Sequence, residues 1–93
     1  MVIVHIFSVL SAFKCVAGRS CRSAYRYDGR ISGSKTELMS LCLEETKCTA
    51  IDYRNDQNYG FKCFSTESSD DPGFEICDKQ KGTDIDDTVY ITC

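Results

Sequence analysis

From residue 34 onward the spacing of apolar positions changes twice, and each change marks an element. Leu38, Leu41 and Cys42 fall at i, i+3 and i+4, with Met39 and Leu43 widening the stripe, which predicts an amphipathic helix ending near Glu45. Ser34-Lys35-Thr36-Glu37 immediately before it has the form of a capping box, so the helix should start there. From Cys48 to Tyr53 the period becomes two. Arg54 to Gly60 is a polar connection rich in turn formers, and Phe61 to Ser65 resumes the alternation, which predicts a β-hairpin. Upstream, Cys21 to Tyr27 alternates as a strand, followed by turn chemistry at Asp28-Gly29-Arg30 and Ser32-Gly33. Downstream, Thr66 to Gly73 reads as a loop holding the only proline, Phe74 to Cys77 as a short strand, and Thr88 to Cys93 as a β-branched closing strand. The expected class is α+β: a small disulfide-rich domain with one helix packed on an antiparallel sheet.

The first stretch has a different character. Met1 to Leu10 is apolar except for His5 and Ser8, and small residues follow at Ala17 and Gly18. Such a run, broken by Lys14, is too short for a membrane span but fits a signal peptide. The expected organisation is therefore a leader over 1–18, cut after Ala17 or Gly18, and one domain over 19–93. Removing the leader removes Cys15, so seven cysteines become six: Cys21, Cys42, Cys48, Cys63, Cys77 and Cys93. An even set in a folded part of about 75 residues is the composition of an exported disulfide framework, because so short a chain buries too little surface to hold itself by its core alone. The expected location is extracellular, with no membrane insertion after cleavage.

Composition narrows the chemistry. The only histidine, His5, leaves with the leader, and with it the means for a Ser-His-Asp or Cys-His site or a mixed Cys/His zinc site. No glycine-rich phosphate loop, His-Glu-x-x-His motif or complete calcium loop is present, and Asp84-Ile85-Asp86-Asp87 lacks the glycine and distal glutamate of a calcium loop. No cofactor, metal, nucleic-acid partner or enzymatic activity is expected. Charge is uneven within a net of −3, which becomes one unit more negative without Lys14. Arg19, Arg22, Arg26, Arg30 and Lys35 face only Asp28 in the first part, whereas the region from Glu67 to Asp87 is acidic. Arg22, Arg26 and Arg30 are thus candidates for a sulfated-glycan site. Tyr59, in a polar loop with Arg54, Asn55 and Asn58, is a second candidate, since an amphipathic ring beside hydrogen-bonding groups suits protein or sugar recognition.

The stretch Thr36 to Ser65 resembles the centre of a PAN/apple domain. There a helix cysteine is followed by another that opens a strand, and later by one in a short Cys-aromatic strand; here these are Cys42, Cys48 with Thr49-Ala50-Ile51-Asp52-Tyr53, and Lys62-Cys63-Phe64-Ser65. Cys21 and Cys93 stand where that family places an outer pair joining the termini. The chain departs from the pattern at Leu38, where the family usually has a second helix cysteine, and in its additional Cys77. Six cysteines allow fifteen pairings. The resemblance implies Cys21–Cys93, Cys42–Cys48 and Cys63–Cys77, with Cys42–Cys63 plus Cys48–Cys77 as the rival. It also implies a non-catalytic module recognising an extracellular protein or carbohydrate, as an adhesion factor or a blocker of a receptor or matrix component; a monomer is expected. Two other readings stand beside it: a secreted peptide signal or toxin acting on a receptor or channel, and a self-associating structural component.

Overall fold

A computed structural model describes residues 9–80. Its elements are a 3-10 turn at Val9–Ala12, strand β1 at Phe13–Cys21, a 3-10 turn at Ser23–Tyr25, β2 at Arg26–Ser32, helix α1 at Lys35–Leu43, β3 at Ala50–Arg54, β4 at Tyr59–Cys63 and β5 at Ser68–Lys79. The strands form one antiparallel sheet in the order β1-β5-β3-β4-β2. A small disulfide-rich α+β fold with a single helix is thus observed among the described residues.

The helix begins where the capping box demands. Ser34 Oγ accepts from Glu37 N–H at 3.1 Å, and the Glu37 carboxylate accepts from Ser34 N–H at 2.7 Å, which satisfies two amide donors that no helical carbonyl can reach. It ends at Leu43, two residues before the expected end, with Glu44 as C-cap. Leu38, Met39, Cys42 and Leu43 are buried, but Leu41 stays exposed, because the helix is covered on one side only. The Cys42–Cys48 disulfide ties the last turn to the chain entering β3, and this bridge is the one expected.

Two apolar clusters sit on opposite faces of the sheet. The larger joins the helix residues to Ala12, Phe13, Ile51, Tyr53 and Cys77, and the smaller joins Cys21, Ala50, Cys63 and Ile76. Between them β3 is buried on both faces from Ala50 to Tyr53. Gly60 is needed in β4 because any Cβ there would collide with the Asp52 carbonyl oxygen and the Leu38 side chain, so helix, β3 and β4 close up on a bare backbone.

Several expectations are corrected. Cys21 to Tyr27 is not one strand: Cys21 ends β1 and Arg26 starts β2, at opposite edges of the sheet, with the Ser23–Tyr25 turn between them. Alternation cannot separate one strand from two joined by a turn of similar polarity. Asp28 and Gly29 do adopt positive φ, at 63° and 76°, yet they make an irregularity inside β2 between Tyr27 and Ile31 rather than a chain reversal. Ser68 to Gly73 belongs to β5, where loop was expected. The turn chemistry of Asp71-Pro72-Gly73 appears as a bulge opposite Gly18, at the register shift between Ala17 and Arg19, where proline forfeits no ladder bond.

The disulfides also differ from expectation. Cys21 bonds Cys63 rather than Cys93, and Cys77 bonds Cys15 rather than Cys63. The bulge lets the far half of the β1–β5 ribbon turn over the face opposite the helix, which brings Cys21 onto Cys63. Residues 9–18 of the expected leader supply the 3-10 turn and the first half of β1. Cys93 and the expected strand Thr88 to Cys93 lie outside the described residues. No helix among the described residues is long and apolar enough to cross a membrane.

Candidate functional site

The sheet face opposite the helix carries the most distinctive side chains. Along β4, Tyr59 and Phe61 point there, while Gly60 and Lys62 point to the helix side, as the pleat requires. Phe74, following the bulge in β5, meets Tyr59 edge-on at 5.9 Å, and Tyr59 meets Phe61 edge-on at 6.1 Å. Three guanidinium groups cover these rings. Arg30 lies over Tyr59 at 3.7 Å, Arg26 over Phe61 at 4.1 Å and Phe74 at 5.3 Å, and Arg54 over Phe74 at 5.8 Å. Guanidinium planes on aromatic faces hold their charge in place while their edges remain free to donate hydrogen bonds.

The three arginines are held differently. Arg26 donates from Nε and Nη2 to one oxygen of Asp52, at 3.1 and 2.7 Å, and the same oxygen accepts from Cys21 N–H at 2.9 Å. Asp52 is completely buried, and its other carboxylate oxygen has no hydrogen-bond partner among the described residues. Burial pushes the Asp52 carboxyl up, and the Arg26 guanidinium partly opposes that shift. Arg54 donates to Asp56 at 3.0 Å across the exposed turn, while Arg30 is exposed.

The expected residues are therefore divided by the fold. Arg30, Arg54 and Tyr59 come together on one surface. Arg26 joins them but is committed to Asp52, and Arg22 is exposed in the segment leading to the Ser23–Tyr25 turn. Asn55 donates to Glu75 at 2.9 Å, and Asn58 holds the turn at φ 54°, its backbone oxygen accepting from Gly33 N–H and its carboxamide oxygen from the Tyr53 hydroxyl. Both asparagines thus serve the structure. Phe61, Phe74 and Asp52 were not singled out from sequence. Asp52 carried a usable signal, since it alternates in phase with Cys48 and Ala50, and an inward carboxylate requires a cation.

A second group surrounds Lys62 on the helix side. Lys62 is nearly buried and donates to Glu45 at 2.8 Å and Asp28 at 3.2 Å, beneath the Tyr27 ring. Burial pulls the Lys62 ammonium down, but the two carboxylates hold it above its ordinary value. Glu45 lies below the usual carboxylate range, chiefly through its bond from Lys62. Tyr27 is raised by burial and by donating to Glu45 at 2.6 Å. These groups neutralise one another and pin the helix end to the sheet. Among the described residues two clusters have metal-like donor spacing, Cys15 with Glu75 and Cys77, and Cys21 with Asp52 and Cys63, but each is built around a disulfide whose sulfurs have no thiolate to give.

Comparison with protein-family models, with curated proteins and with solved structures finds no match in any of the three.

Proposed function

We infer that the chain is exported, loses its leader, and works outside the cell as a non-catalytic PAN/apple-like module that binds an extracellular protein or carbohydrate. The observation that carries this reading is the arginine-covered aromatic surface of Tyr59, Phe61 and Phe74 on the face opposite the helix. Aromatic and arginine side chains dominate recognition surfaces because they bury large areas with little loss of side-chain freedom and still direct hydrogen bonds. Arg30 and Tyr59 are the contact residues of this reading, with Arg54 at the rim, and Arg26 positions the surface through Asp52. Three disulfides in so short a chain support an oxidising location. The PAN/apple assignment is supported by the sequence of capped helix, Cys42–Cys48 bridge and β3–β4 hairpin.

Glycan and extracellular-protein arrays probed with the secreted protein test the reading. Binding is expected to fall at least about tenfold in the R30A/Y59A variant, the loss of about 1.4 kcal/mol, and to be unchanged in R22A. For an anionic ligand such as a sulfated glycan, it should also weaken steeply with salt, since exposed charges are screened beyond about 8–10 Å. Binding that ignores the R30A/Y59A change, or the lack of any binding by a folded secreted sample, would overturn the reading.

A further inference from the structure

We propose that the arginine-covered face takes a protein segment presenting a single carboxylate beside an apolar side chain, with Arg30 receiving the carboxylate. This names the partner class of the recognition surface proposed above and rests on that reading.

Charge on the face selects the ligand. Three guanidinium groups lie over Tyr59, Phe61 and Phe74, but two of them already have counterions. Arg26 turns Nε and Nη2 to the buried Asp52 carboxylate, and Arg54 donates from Nε to Asp56. Arg54 is also seated against Gly73, where a Cβ would come within 3.1 Å of the guanidinium carbon. Arg30 is exposed and has no carboxylate partner among the described residues. Three guanidinium groups set against two carboxylates leave one uncompensated positive charge. A sulfated glycan draws its affinity from many cations along a polyanion, and one open guanidinium does not match it. Arg22, which the sequence grouped with Arg26 and Arg30, lies over none of these rings.

The rings point the same way. On each of them a face that would attract the C–H groups of a neutral sugar is taken by a guanidinium. What the surface offers instead is a forked cationic edge beside half-buried aromatic carbon, since Phe74 is buried but Tyr59 and Phe61 are only partly covered. A carboxylate can accept two parallel hydrogen bonds from such a fork. An apolar neighbour of that carboxylate would cover the remaining surface of Tyr59 and Phe61. Because Arg30 already lies 3.7 Å over Tyr59, little side-chain freedom is lost when the partner arrives.

The backbone of β2 accounts for that placement. Between the pairs Tyr27–Lys62 and Ile31–Gly60, β2 has Asp28, Gly29 and Arg30 where β4 has only Phe61. This surplus, with positive φ at Asp28 and Gly29, breaks the ladder and lets Arg30 lie over the Tyr59 ring. Since β2 is an edge of the described sheet, the same irregularity blunts it against pairing with a strand of another chain. A partner therefore meets the side chains of the face and not the backbone of the edge.

The test presents the folded secreted protein with two probes, a phage-displayed library of random dodecapeptides and immobilised heparin. Enriched peptides are expected to carry one Asp or Glu next to an apolar residue. Their affinity should fall about tenfold in R30A, the loss of a charge-assisted hydrogen bond, and stay unchanged in R22A. It should drop no more than about fourfold between about 50 and 200 mM salt, as befits one charge, and heparin should release the protein at or below about 0.15 M. Arg30 is exposed, so R30A should keep the far-UV circular dichroism of the unmodified protein. Enriched peptides that lack an acid, need several acids, or bind R30A equally well overturn the proposal, as does a library that yields no Arg30-dependent binder. Heparin binding that is steep in salt and lost in R30A/Y59A overturns the single-carboxylate partner and leaves the recognition surface standing. A folded sample that enriches no peptide and binds nothing on the glycan and protein arrays overturns both.

Discussion

Replacing Arg26 with alanine is expected to destabilise the fold by about 3–5 kcal/mol at neutral pH, the range for removing one partner of a buried ion pair. Asp52 is fully buried, and two of the three hydrogen bonds to its engaged oxygen come from Arg26. In R26A only backbone N–H groups remain to the carboxylate, Cys21 foremost. The carboxylate must then either stay charged in an apolar site or take up a proton, and stacking on Phe61 is lost as well, a further ~0.5–1 kcal/mol. The loss carries a pH signature. Burial already holds the Asp52 carboxyl above its ordinary value against the pull of Arg26, and without the guanidinium it rises further. The native variant then binds a proton where the unfolded chain does not, so its stability falls as pH rises from the ordinary carboxylate range through the raised native value. The gap to the unmodified protein should be narrow at acid pH and widest near neutrality. Urea titrations followed by far-UV circular dichroism, with disulfides intact, measure it at each pH. A neutral-pH loss under about 1 kcal/mol, the size of a surface pair, or a gap that does not vary with pH, would refute the buried-pair argument. R26M/D52L, which removes both charges and keeps apolar volume, should recover most of the loss.

The disulfides should rank by the loop each closes. Losing Cys21–Cys63, with a separation of 42, should cost about 4 kcal/mol, and losing Cys42–Cys48, with a separation of 6, about 2 kcal/mol. Thermal melts of C21S/C63S and C42S/C48S give the comparison, and equal losses would contradict the ranking. Glu75 titrates in the opposite sense to Asp52. Burial raises it, but bonds from Lys35 at 2.6 Å and Asn55 at 2.9 Å outweigh burial and hold it below its ordinary value. Its contribution is present above the unfolded value and lost as pH falls through the folded one, so E75Q should flatten the acid limb of the stability curve. An acid limb unchanged in E75Q would count against that assignment.

Local order in the chain was enough to define α1, the capping box and the β3–β4 hairpin. Each depends on neighbours within a few residues, so the Ser34 and Glu37 pairing or the alternation from Cys48 to Tyr53 carries its own meaning. The same local chemistry at Asp28-Gly29 and Pro72-Gly73 was visible but ambiguous, because residues that permit a turn also permit a bulge inside a strand. Of the candidate site, Arg30, Arg54 and Tyr59 could be named in advance, yet nothing local joined them to Phe61 and Phe74.

Composition determined that this is a short chain dependent on cysteine bridges, and local order along the sequence determined one capped helix and alternating strands. The tertiary structure decided which sulfurs meet, that Arg26 serves Asp52 instead of solvent, and that three arginines converge on one aromatic face. Those outcomes follow from strand order. The sheet sequence β1-β5-β3-β4-β2 and the β5 bulge opposite Gly18 bring residues 26 to 62 positions apart into contact, and no pattern read along the chain encodes such distances.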